Sequence, residues 1–203
     1  MILFPKVCNN THLHGLGRFI ALSLIMLFTQ AQAVAQQHAH QTGTAQTHSA
    51  DPIAIFGDLK NDGTFSNNVG RLFFNGTTRQ RVSGSEIMDF EYVTLNNANH
   101  LQLDTTFQIS KELMFQSGQV ATPYDIALLN APPPVYLHFL RGATYQNETD
   151  ARHVKGYVAR TGADSFRFPI GDGTTLRPAM ISAGTTPGQH TFWAAYYQES
   201  PHA

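Results

Sequence analysis

The sequence predicts an all-β chain: a short right-handed β-solenoid, about three strands per coil with a period near 20 residues, then a partial or minimal β-sandwich. Three observations carry this expectation. Apolar residues two apart recur as Ile53/Ile55, Leu72/Phe74, Val93/Leu95 and Leu113/Phe115, at steps of 19, 21 and 20 residues. Two further series, Phe65–Ile87–Phe107 and Val82–Leu103–Val120, interleave with the first at similar steps. Turn formers (Asn61-Asp62-Gly63, Asn75-Gly76, Ser83-Gly84, Asn96-Asn97 and Ser117-Gly118) separate the apolar pairs, as residues that tolerate φ > 0 at coil corners should. The competing arrangement is a β-sandwich of evenly spaced hairpins, which also gives strands every 8–12 residues.

Residues 1–35 read as a signal peptide. Lys6 and Arg18 precede an apolar run from Phe19 to Phe28, broken only by Ser23, and small residues follow as Ala31-Gln32-Ala33 or Ala33-Val34-Ala35. The run is shorter than the roughly 20 apolar residues that a membrane span requires, and no other stretch is apolar enough to span. The expected mature N-terminus is Val34 or Gln36. Cys8, the single cysteine of the chain, lies upstream of the apolar run, so the mature part has no disulfide, catalytic thiol or thiolate metal site. The leader holds two basic residues and no acidic one, which leaves Lys+Arg 11 against Asp+Glu 14 in the mature chain. That balance excludes a basic nucleic-acid footprint.

Residues 36–50, polar and aperiodic, read as a flexible spacer in which His38, His40 and His48 are solvated rather than metal-bound. Residues 51–121 hold the coils. Within them Leu95 should stack between Phe74 and Phe115, while Thr94 points to the opposite, solvent face. Residues 122–153 read as an irregular β connection, where Pro132-Pro133-Pro134 forbids helix and central strand and Val135 to Leu140 is a strand candidate. Residues 154–203, with Phe166/Phe168 and the β-prone stretch Thr191 to Tyr197, read as a small or truncated sandwich. It is either minimal or the start of a longer protein.

Two segments resemble the large exported surface proteins of gliding-type Bacteroidota. Gly57-Asp58-Leu59 to Asn75-Gly76-Thr77, then Phe90 and Val93-Thr94-Leu95-Asn96-Asn97, are similar to their repeated coils. His153-Val154-Lys155-Gly156-Tyr157-Val158, followed by Phe166-Arg167-Phe168-Pro169-Ile170-Gly171-Asp172-Gly173 and Arg177-Pro178, is similar to a second and more specific segment. Together the matches span about residues 51–198. The resemblance implies an adhesin-like or matrix-like protein associated with type IX secretion, without an agreed enzymatic role. It also implies a location at the outer surface, in the medium or in the periplasm.

No catalytic, cofactor-binding or metal site is expected. Asp58 to Gly63 fails as a calcium loop, because Lys60 and Val69 stand where oxygen ligands are needed. Asp172 in Ile170-Gly171-Asp172-Gly173 is better explained by a tight turn than by a cation. Asp89 and Glu91 share an outward face and the coil can bring Glu86 and Asp104 near them, but only Arg79 and Arg81 flank this region. No arrangement there makes one carboxylate an acid and another a base. Asp150-Ala151-Arg152-His153 lacks a nucleophile to complete a triad, and nucleophile elbows, zinc-peptidase motifs and phosphate loops are missing. Asp104-Thr105-Thr106 fits the acidic-residue-then-Thr pattern of O-glycosylation in Bacteroidota, with Thr105 as candidate acceptor. The functional expectation is a non-enzymatic structural or adhesive surface module whose partners are extracellular glycans, matrix or other surface proteins, with no nucleic acid and no membrane span after leader removal. The alternative is a carbohydrate-binding or polysaccharide-active β-helix. An outward row of aromatics would favour it, and Tyr92 is the one aromatic the pattern places outward.

Overall fold

The computed structural model describes residues 35–36, 39–42, 52–64, 69–123, 133–184 and 190–198. Residues 1–34 of the expected leader, His38, His48, Phe65 and Pro132 lie outside the described residues. The chain divides into two compact units, Met1–Ala33 and Val34–Ala203, and every described residue belongs to the second.

The second unit is a β-solenoid of about five turns with a period near 21 residues, and no helix occurs among the described residues. Its strands stack in three columns. Face one holds β1 (Ala35–Gln36), β3 (Ile53–Ile55), β5 (Arg71–Phe74), the second halves of β7 (Met88–Asn96) and β9 (Phe107–Ser117), and β12 (Thr144–Gln146). Face two runs β2 (Ala39–Thr42), β4 (Leu59–Asp62), β6 (Gln80–Ser83), β8 (Leu101–Leu103), β10 (Val120–Ala121), β13 (Val154–Lys155) and β16 (Ile170–Gly171). Face three is formed by the first halves of β7 and β9, then β11 (Leu137–Phe139) and β14 (Val158–Thr161). Every pairing in these columns is parallel. β7 and β9 serve two faces because the ladder slips between Phe90 and Tyr92, where a bulge turns both strands around a corner.

The apolar pairs of the sequence stack in register. Ile53, Leu72, Val93 and Leu113 form one column and Ile55, Phe74, Leu95 and Phe115 the next, so Leu95 lies between Phe74 and Phe115 with no exposed surface. The other two series need correction. Met88, fully buried, pairs with Phe107, whereas Ile87 is 49 % exposed, so the expected series is displaced by one residue. Val120 pairs with Leu101 rather than following Leu103, because the coil between β8 and β10 is shorter by one inward position. Phe90 and Phe107 stack at 5.7 Å and Phe74 meets Phe107 edge-on at 6.1 Å, locking faces one and three together across the core.

Corners are fixed by side-chain amides as much as by turn conformations. Gln80 occupies an inward position on face two but is fully hydrogen-bonded. It donates to the carbonyls of Ile55 and Gly57 at 3.0 and 2.6 Å, and accepts from Gly76 N and Asn97 Nδ2 at 2.9 and 3.0 Å. Such a group is tolerated because none of its bonds to water goes unreplaced. Asn61 and Asn97, expected to tolerate φ > 0, are instead buried and accept from Gly63 N and Asn99 N through their side chains. The left-handed conformation falls on Gly84 and Gly118, where a Cβ would come within 1.9 Å of the Asn61 carbonyl oxygen and 1.8 Å of the Asn97 carbonyl oxygen.

Both ends differ from the expectation. Ala35, expected at the end of the leader, and Gln36 and Ala39–Thr42, expected as spacer, contribute β1 and β2 to the first described coil. There His40 Nε2 and Lys60 Nζ meet Asp62 Oδ2 at 2.9 and 2.6 Å, holding the Asp62 carboxyl down at about 2. These three side chains lie on the outward side of β2 and β4. At the other end, residues 154–171 continue the parallel columns through β13, β14 and β16. The antiparallel segment expected from residue 154 is confined to β15 (Phe166–Phe168) with β17 (Ala179–Ile181), and to β18 (Thr191–Ala194) on β14. Arg160 continues the Phe90–Ile109–Phe139 column, with Phe192 of β18 opposite it. It is 3 % exposed and its guanidinium lies 4.9 Å over the Phe166 ring. Its Nη1 donates to the Leu140 and Ala143 carbonyls at 2.6 and 2.9 Å.

Candidate functional site

Because β-strand side chains alternate, the inward column of face three dictates an outward one. Successive partners place Asp89, Gln108, His138, Ala159 and Trp193 in one line across five strands. Tyr136, just before β11, packs its ring edge-on against His138 at 5.5 Å and against Trp193 at 6.3 Å. Trp193 is 41 % exposed and Tyr136 half-buried. Among the described residues neither the Tyr136 hydroxyl nor the Trp193 indole N–H has a hydrogen-bond partner.

The polar part of the line is ordered. Gln108 Nε2 donates to His138 Nδ1 at 3.3 Å, His138 Nε2 donates to Thr161 Oγ1 at 2.8 Å, and Thr161 Oγ1 lies 2.8 Å from Thr191 Oγ1. These partners hold a neutral imidazole, and burial, with Arg160 behind it, pushes the His138 pKa below its ordinary value. Asp89 is moved the other way. Burial raises its carboxyl pKa, a hydrogen bond with Ser110 opposes the rise, and the Glu91 charge adds to it.

The carboxylates weighed in the sequence do not gather. Asp89 sits mid-strand on face three, whereas Asp104 follows β8 on face two and binds Arg81 through Nη2 at 2.6 Å and Nε at 2.8 Å. Glu86 is exposed at the corner where its N–H donates to the Asn61 carbonyl. Tyr92 is half-buried under Arg71, whose guanidinium lies 4.9 Å over its ring. Asp172 forms the tight turn: Oδ1 accepts from Thr174 N, Thr174 Oγ1 and Thr175 N, each at 2.7 Å, which holds its pKa far below the usual carboxylate range. His153 is buried between the Thr149 carbonyl and Gly173 N, at 3.3 and 3.0 Å, and so is a framework residue. Thr105 is half-buried in the turn after β8, beside the buried Thr106.

A shallow groove of about 450 Å³ crosses the coils near His100, Gln119 and Asp150. Its polar walls are committed to the backbone. His100 Nδ1 accepts from Gln119 N at 3.1 Å, Gln119 Nε2 donates to the Gly173 carbonyl at 2.9 Å, and Asp150 Oδ1 accepts from Leu176 N at 2.9 Å. Among the described residues, no group of three or more His, Cys, Asp or Glu side chains is placed to hold a metal ion. The aromatic end of face three was not legible in the sequence, because Tyr136 and Trp193 are distant in the chain and join only when β18 folds back antiparallel onto β14. No known protein family, characterised protein or solved structure matches the chain.

Proposed function

We propose that the chain is an exported, non-enzymatic module of a bacterial surface, a stiff solenoid that presents its outward faces to glycans, matrix or neighbouring surface proteins. The observation that carries this reading is the contrast between a framework of committed carboxylates and the partly exposed aromatics Tyr136 and Trp193 at the end of face three. Asp104 is tied to Arg81 and Asp172 to its own turn, on elements apart from Asp89, so no two of the three form the opposed pair that glycoside hydrolysis needs. Export rests on the leader pattern of residues 1–35. The resemblance to Bacteroidota surface proteins supports an outer-surface location and leaves Thr105 as the candidate O-glycosylation acceptor.

Attachment of beads coated with the purified chain to extracellular matrix and bacterial cells tests the reading, with release of reducing ends from polysaccharides measured in parallel. Attachment without turnover is the expected result. Turnover that disappears when Asp89 and Asp104 become Asn and Glu91 becomes Gln would establish the polysaccharide-active alternative instead. Absence of attachment to every surface would contradict the module.

A further inference from the structure

We propose that β18 is the contact strand of a homodimer, its free edge paired antiparallel with the same edge of a second copy about a two-fold axis at Phe192. The inference concerns how copies associate and is independent of what the outward faces bind.

The ladder between β14 and β18 decides which backbone groups are open. Gly162 N donates to the His190 carbonyl at 2.9 Å, and the register continues through Arg160–Phe192 and Val158–Ala194. Bonded and non-bonded pairs alternate in an antiparallel ladder, so His190, Phe192 and Ala194 turn their backbone groups toward β14. Thr191 and Trp193 turn theirs away. Among the described residues, neither the N–H nor the carbonyl of Thr191 or Trp193 has a hydrogen-bond partner. The last strand of face two contrasts with this. β16 is covered by its own chain, with Arg177 N donating to the Ile170 carbonyl at 2.7 Å and Leu176 bridging Gly171.

An open row of alternating strand donors and acceptors accepts another strand. Three features of β18 select a second copy of itself. Its open groups are self-complementary. Setting Thr191 against Trp193 of the second copy, and Trp193 against its Thr191, gives every open donor an open acceptor and brings Phe192 opposite its own counterpart. Such an isologous contact closes on itself as a dimer. Charge allows the approach, because any charged residue near the axis would meet its like. Residues 178–198 carry no Lys, Arg, Asp or Glu, and β18 lacks the lysine and proline that blunt natural edges. Shape supplies the third feature. Phe192 and Trp193 are 40 % and 41 % exposed on opposite sides of the strand, and a groove of about 390 Å³ lined by Ala163, Ile181 and Thr191 opens beside Phe192. The groove has room for the second Phe192 ring, while Trp193 lies across Thr191 of the second copy. The strand is four residues long, so the contact is small and the expected dissociation constant is micromolar rather than tighter.

Sedimentation equilibrium of the purified chain across the micromolar range should show a reversible monomer–dimer equilibrium. Phe192→Lys and Phe192→Glu each set like charges face to face across the axis, and each should weaken association about tenfold or more. An equimolar mixture of the two should restore it, since opposite charges then meet. Ile87→Lys, exposed at the start of β7, should associate as wild type. Circular dichroism checks that each variant is folded. A cross-link reads the same register without added charge. The Cα atoms of a non-bonded antiparallel pair lie about 4.5 Å apart, within disulfide reach. Phe192→Cys in a chain carrying Cys8→Ser should therefore form a linked dimer in oxidised glutathione, and Ile87→Cys in the same background should not.

A monomer at every concentration would overturn the pairing and leave the edge to a strand of another protein. A dimer that persists in folded Phe192→Lys, or a mixture of the charged variants that stays apart, would overturn it as well. Should the charged variants fail to fold, absence of the Phe192→Cys cross-link decides against it.

Discussion

The middle coils and the two ends of this solenoid solve the same stacking problem with opposite chemistry. Between Arg71 and Ser117 every column on face one places apolar on apolar, Leu72 on Val93 on Leu113 and Phe74 on Leu95 on Phe115. At the ends the inward or closing positions go to groups that pair rather than pack. Asn61, inward on β4 and hydrogen-bonded to Gly63 N, stands toward the start, and Arg160 over Phe166 toward the finish. An interior coil is covered above and below, so burial alone stabilises it. Where fewer coils cover an inward position, a polar group can occupy it provided hydrogen bonds satisfy it.

That contrast is sharpest at Leu95. Leu95→Ala should cost about 2–5 kcal/mol through transfer and cavity terms. Leu95→Asp should cost more still and unfold the solenoid in one transition, because an unpaired charge is placed between two phenylalanines. Denaturant unfolding followed by circular dichroism reads both. The comparison with Thr94 must be redrawn. Thr94 does point outward, but it is only 4 % exposed between Phe73 and Met114, so Thr94→Asp is no longer a neutral control. Exposed Ile87→Asp takes that place and should cost less than about 0.5 kcal/mol. An equal loss at Leu95 and Ile87 would break the inward and outward assignment.

Arg160 comes next in size. Arg160→Met keeps the apolar stem and removes the guanidinium, leaving the Leu140 and Ala143 carbonyls without their donor. The expected loss is about 1–3 kcal/mol. It should appear first as faster hydrogen exchange in β14 and β18, with the middle coils still protected. Uniform loss of protection through all coils would mean that the end is not a separate cap.

The smallest effect is a pH dependence. The folded-state pKa of His138 lies below its ordinary 6.5, as does that of His100, chiefly because burial disfavours the imidazolium. The unfolded chain therefore binds more protons below about pH 6.5. Stability should be complete above that pH and decline as pH falls below it. His138→Gln should remove part of the decline in thermal melts between pH 7 and pH 5, and an unchanged slope would contradict the assignment.

The period near 20 was readable because Leu, Val, Ile and Phe repeat at fixed steps, and a residue pair two apart can only be a strand face. What escaped was whatever breaks that pattern. Ile87 and Met88 are both apolar, and only the corner geometry decides which enters the core. Residues 35–42 contain no large apolar side chain and so carried no strand signal, although β2 pairs through its backbone with β4. The polar expectations fared better where one residue sufficed. The Asp172 turn follows from Asp-Gly-Thr-Thr chemistry within four residues, whereas the Tyr136–Trp193 platform depends on antiparallel closure 57 residues away in the chain.

The most direct test of the three-column stack uses spin labels on cysteines placed at Arg71 and Glu112, with Cys8 replaced by serine. Both positions face one column of face one, separated by the single strand β7 through Tyr92. Two strand spacings put their backbones about 10 Å apart. Strong dipolar broadening that disappears on unfolding is the predicted result. A spectrum equal to the sum of the two single labels would contradict the solenoid, and with it the outward face on which the proposed function depends.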